Sequence, residues 1–171
     1  MRTNGRFHRR AAFTLIELVV TITVVAVVAG LGTGILVEAG RAYTRSKTLT
    51  ENYADGDYAL RRLAEELGDV AAATDLTSIG AGAVTFSLSG QEHTFVKSGT
   101  DLLRDGKALA SGVSAFTLTY YDSSGAVTAV PASVHRVAAE ITIDRNGAAC
   151  SLRTEVFPRG LRTSYTSWEV E

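Results

Sequence analysis

The chain has 171 residues, with 17 Lys and Arg against 18 Asp and Glu. That length accommodates one domain and an N-terminal extension. The near-neutral charge excludes a broad basic surface for nucleic acid, and no nucleic-acid partner is expected. The single cysteine, Cys150, excludes an internal disulfide and is read as a small buried strand residue.

Residues 1–12 form a basic leader. Its four charges are all arginine (Arg2, Arg6, Arg9 and Arg10), which leaves 13 basic against 18 acidic residues, a net −5, from Phe13 onward. An apolar segment follows, and from Leu18 to Val37 twenty residues pass without a charge, the length of a membrane-spanning helix. Glu17, immediately before that run, is an isolated carboxylate beside a span and so a functional-site candidate. Arginines ahead of the span predict a cytoplasmic N-terminus and a C-terminal domain outside the cytoplasm. Two plainer readings remain open. One is an anchor whose Glu17 reaches up to the headgroups. The other is a secretory signal peptide cut after Val27-Val28-Ala29, which the length of the run and the position of Glu17 argue against.

Ala12-Phe13-Thr14-Leu15-Ile16-Glu17-Leu18 resembles the processing signal of the type IV pilin-like proteins, the prepilins and pseudopilins. The resemblance implies a cut between Ala12 and Phe13 by a prepilin peptidase, methylation of the new amine at Phe13, and Glu17 as the acidic residue of assembly. Ala12 stands where the family usually has Gly. Cleavage would leave an amine about 6 Å of helical rise from Glu17. In a stack of parallel helices the carboxylate of one subunit would neutralise the amine of its neighbour. The resemblance further implies residence in the bacterial inner membrane, association with other pilins or pseudopilins through residues 13–37, and an inner-membrane assembly platform as partner.

The helix is expected to run from Phe13 to about Ala72. Gly30, Gly32 and Gly34 are its weak spot, since each Gly costs a helix about 1 kcal/mol relative to Ala. Residues 38–72 read as an amphipathic continuation, with Leu49, Tyr53, Leu60, Leu63, Leu67 and Val70 as one apolar stripe. Arg61, Arg62, Glu65, Glu66 and Asp69 are assigned to the solvated face. Gly56, between Asp55 and Asp57, is a candidate break. Those two carboxylates are too few for a calcium site.

Residues 73–157 read as an antiparallel β domain. Val84, Phe86 and Leu88 alternate, Ser89-Gly90-Gln91 turns, and His93–Lys97 returns. Leu102-Leu103-Arg104 leads into an Asp105-Gly106 turn. Phe116, Leu118 and Tyr120 share one face of the next strand. Val137, Ala139, Ile141 and Ile143 form the clearest alternating strand, and Asn146-Gly147 is the strongest hairpin signal. Residues 158–171 form a polar tail whose Tyr165 and Trp168 either dock on a partner subunit or close over the domain's own sheet.

The whole predicts an α+β fold, a long N-terminal helix packed by an antiparallel sheet. The rhythm around Tyr58-Ala-Leu-Arg-Arg-Leu-Ala-Glu-Glu-Leu, Leu103-Arg104 and Phe157-Pro158-Arg159 resembles the J-type minor pseudopilins and W-like minor pilins. These are structural subunits that prime or cap a filament. No catalytic constellation is found: His8, His93 and His135 show no metal-ligand spacing, no Ser sits in a nucleophile elbow, and Gly80-Ala-Gly lacks the rest of a phosphate loop. No cofactor and no metal are expected. The rival reading is a single-pass, membrane-anchored binding module outside any filament.

Overall fold

The computed structural model describes residues 14–161 and divides the chain into two units, Met1–Thr44 and Arg45–Glu171. Helix α1 (Leu15–Gly68) opens in the first unit and continues into the second. The leader, Ala12, Phe13, Tyr165 and Trp168 lie outside the described residues.

In the first unit α1 is capped by Thr14. Its carbonyl accepts from the N–H groups of Glu17 (3.1 Å) and Leu18 (3.2 Å), and its hydroxyl oxygen accepts from Glu17 N–H at 3.3 Å. The helix passes through Gly30, Gly32 and Gly34 without a break. The apolar side chains here are exposed, and the segment is long and apolar enough to cross a membrane. Its threonines cost little in such a setting, because each hydroxyl bonds back to a carbonyl of its own helix. Thr21 donates to Glu17, Thr23 to Val20 at 2.8 Å and Thr33 to Ala29 at 2.9 Å.

In the second unit α1 buries Asn52, Gly56, Ala59, Leu60, Leu63, Glu66 and Leu67, recurring at spacings of three and four. The helical phase is as expected, but its occupants are not all apolar. Tyr53 is 56% exposed and its neighbour Asn52 is buried in its stead. Gly56 does not break the helix. It faces the sheet so closely that a Cβ there would lie 2.5 Å from Leu152 Cδ1, so the glycine serves close approach. The helix ends at Gly68, short of Ala72, where bonds from Asp69 N–H to Glu66 and from Val70 N–H to Leu67 tighten the last turn. Gly160 then donates to the Val70 carbonyl at 3.0 Å, and a Cβ on Gly160 would collide with the Ala71 backbone.

Among the described residues eight strands follow, in two antiparallel meanders. The first sheet runs β1 (Leu76–Gly80), β2 (Ala83–Leu88), β3 (Gln91–Ser98), β4 (Asp101–Arg104), β5 (Lys107–Ser111) in spatial order. The second runs β6 (Val113–Tyr121), β7 (Arg136–Arg145), β8 (Ala148–Val156). Two-residue turns at Ser89-Gly90, Asp105-Gly106 and Asn146-Gly147 place both residues at positive φ, the backbone whose twist matches a hairpin. Leu118 N–H donates to Ala81 O at 2.7 Å, and the Tyr120 hydroxyl donates to Gly80 O at 3.1 Å, tying the sheets together. One core joins helix and sheets, with Leu63, Leu67, Phe86, Phe95, Leu102, Ile141 and Ile143 fully buried. Each such side chain contributes about 1.5–3 kcal/mol of burial free energy. The alternating residues of β6 and β7 point into this core as their spacing predicts. Cys150 is only half-buried, on an edge strand beside Leu49 and Tyr53.

Candidate assembly site and the polar clusters of the β domain

Glu17 stands in the first turn of α1, where a carboxylate also interacts favourably with the helix dipole. Thr14 holds its backbone, and Thr21 bonds to its carbonyl one turn on. The carboxylate has no ion pair among the described residues. The first turn and the charge-free run of exposed Leu18, Val19, Val20, Ile22, Val24 and Val25 together present one acid at the head of an apolar rod. Such an arrangement offers a single directional contact, a charge pair, on an otherwise non-directional apolar surface. At Gly30, Gly32 and Gly34 an added Cβ would meet nothing within 4 Å. Substitution there is therefore governed by helix propensity alone within this chain.

A second cluster was not anticipated. Glu66, assigned by sequence to the solvated face, is only 7% exposed, while Glu65 beside it is open to solvent. Its Oε1 accepts from Arg62 Nε at 2.6 Å and from Arg104 Nε, at the end of β4, at 2.7 Å. Arg104 also lies 3.2 Å from Asp105, which is 2.9 Å from His93 Nδ1 and accepts from Thr94 N–H at 2.8 Å. Burial raises the Asp105 carboxyl pKa. The hydrogen bonds from His93 and Thr94 and the Arg104 charge outweigh it, holding the group below its ordinary range. These groups pair with one another, with Glu66 Oε2 left without a donor among the described residues, and clip the β4–β5 hairpin to β3 and α1. They hold structure together and leave no free nucleophile–base pair.

The remaining candidates are also occupied structurally. Asp55 pairs with Arg145 and Asp57 with Arg61, each at 2.7 Å, and no group of three potential metal ligands occurs among the described residues. His135 donates its backbone N–H to Tyr121 and lines an open cavity of about 750 Å³ with Asp122, Ser133 and Leu161. Tyr120 is buried under β1 and β2, and that burial raises its pKa against the bond it makes to Gly80.

Residues 7–33 match the family of the prokaryotic N-terminal methylation motif. The matched stretch contains Ala12, Phe13, Glu17, Gly30 and Gly32, and so includes the capped, charge-headed start of α1. The match supports a type IV pilin-like protein, a structural family whose members are processed by prepilin peptidase and assemble with other pilins. The long apolar helix followed by antiparallel sheets is a pilin-like α+β architecture. No curated protein matches the chain.

Proposed function

We propose that the chain is a minor pilin or pseudopilin that primes or caps a type IV pilus or a type II secretion pseudopilus. One observation carries this: within the matched motif, Glu17 is the lone charge on the first turn of a helix whose following side chains are apolar and exposed. In this reading residues 1–12 are removed, residues 13–37 form the assembly helix, and residues 38–72 continue it. Residues 73–157 are the β domain and residues 158–171 its tail. Cleavage between Ala12 and Phe13 creates an amine, and Glu17 pairs with the corresponding amine of a neighbouring subunit. Each charge would otherwise be unpaired in an apolar bundle, where loss of one partner costs about 3–5 kcal/mol. Gly30, Gly32 and Gly34 give the helix a place to loosen on assembly, at about 1 kcal/mol of propensity per glycine. The protein sits in the inner membrane with its N-terminus cytoplasmic until the platform draws it into a filament.

The test is the mass of the N-terminal peptide of protein extracted from its native membranes. A terminus at Phe13 carrying one extra methyl is expected. A terminus at Met1 or Gly30 would overturn processing and the filament role with it, leaving a membrane-anchored or secreted module.

A further inference from the structure

We propose that Asn52 and Glu66 are two independent polar pins, one for each sheet, which set where the sheets sit on α1 and contribute little to how tightly they are held. The two residues are four turns apart, about 21 Å along the axis, and fall on nearly the same face of the helix. Between them the buried positions are Gly56, Ala59, Leu60 and Leu63, contacts that are strong but carry no direction. Each pin supplies the missing direction. Asn52 Nδ2 donates to the carbonyl of Ala148 at 2.6 Å, the first residue of β8, immediately after the Asn146-Gly147 turn. Glu66 accepts from Arg104 at 2.7 Å, the last residue of β4, immediately before the Asp105-Gly106 turn. Both therefore seize a hairpin beside its turn, and the two hairpins belong to different sheets.

The chemistry argues against a gain in stability as their purpose. A buried ion pair is often no more stabilising than apolar residues of the same volume, whereas its geometry admits one docking. Each pin also buries an oxygen, Asn52 Oδ1 or Glu66 Oε2, that no group among the described residues donates to. A network satisfied only in part is a poor route to stability. It still discriminates, because sliding either sheet along the helix would take Ala148 O away from the Asn52 amide or Arg104 away from Glu66, leaving that carboxylate only Arg62 of its own helix.

The experiment needs no filament. Amide hydrogen exchange is followed in the full-length protein in detergent micelles, for wild type, E66Q, N52L and the double variant E66L/R104L. Amides of residues 101–111 should exchange about tenfold faster in E66Q while those of 136–156 keep their protection; N52L should do the reverse. The double variant should unfold at a denaturant midpoint no lower than wild type, with residues 101–111 still exchanging fast. If a single substitution loosens both sheets alike, or neither, the pins are not independent and the proposal falls. A double variant that regains wild-type protection, or whose midpoint drops sharply, overturns it too. Should that variant fail to fold, the two single substitutions still decide the question.

Discussion

The two glutamates near the ends of α1 are chemically identical and opposite in setting. Glu17 stands on the first turn, exposed, ahead of a run of exposed apolar side chains. Glu66 is buried beneath the β domain with two arginines on one of its oxygens. In the first case the helix brings a charge that no described residue pairs with, and in the proposed function a neighbouring subunit supplies the partner. In the second the fold itself delivers the partner from β4. A charge at the margin of an apolar surface can thus be an instrument of association, while the same charge inside a core is an instrument of fold specificity. Which of the two a carboxylate becomes depends on whether the fold buries it beside a partner or leaves it exposed on an apolar surface.

Breaking the first glutamate should have the largest effect. Glu17→Leu leaves cleavage before Phe13 intact by peptide mass but lowers incorporation into filaments at least about 100-fold, the equivalent of losing one partner of a desolvated charge pair. Normal incorporation of that variant would remove the assembly role of Glu17. Next comes Glu66→Ala, which leaves Arg104 with Asp105 as its ion-pair partner and should cost about 1–3 kcal/mol in denaturant unfolding. Glu65→Ala, one residue away on the solvated side, should stay within about 0.5 kcal/mol. A similar cost at both positions would show that burial does not separate them.

Glycines sharpen the same contrast. Gly56→Leu forces a side chain into Leu152 and the space before Ile141 and Ile143, and should destabilise by about 1–3 kcal/mol. Gly32→Leu meets nothing and should raise helix stability by up to about 1 kcal/mol, read by helical circular dichroism in micelles. The smallest effect concerns pH. The Asp105 carboxyl is held below its ordinary range, so its stabilising contribution is full above the unfolded value of about 3.9 and fades as pH falls through the lower folded value. Asp105→Asn should flatten that acid limb of the stability curve, and an unchanged limb would assign it to other carboxylates.

The features legible in the sequence are those written locally. Phe13 to Leu18 spell a contiguous signal, Asn146-Gly147 and Asp105-Gly106 announce their turns by residue type, and the two-residue period of β7 follows from one buried face. The features that escaped are those fixed from a distance. Strand β1 shows no alternation because only Leu76 of its five residues is buried, and β5 is a short edge strand rich in Ala and Ser. Both exist because a neighbour supplies the hydrogen bonds. The buried phase of α1 was readable as spacing, but Asn52 and Glu66 occupy it as polar residues whose partners lie 96 and 38 positions further along the chain. Tyr53 fits the stripe by hydrophobicity, although the buried stripe passes through its neighbour Asn52. Nothing in the local pattern distinguishes Glu66 from Glu65 except helical phase, which places Glu66 one turn before Val70 and one after Arg62.

Every strand pairs with the strand that precedes or follows it in the chain, in both sheets. A polypeptide delivered N-terminus first can therefore complete each hairpin as soon as its second arm arrives, closing two-residue loops at small entropic cost everywhere but between β6 and β7, where residues 122–135 form the connection. The first meander can zip while the second is still being delivered. Only the grip of α1 on β7 and β8 has to wait for the last residues. The architecture is one in which vectorial synthesis and stepwise folding keep pace through the first sheet, and in which β6 is the strand that waits longest for its partner, across residues 122–135.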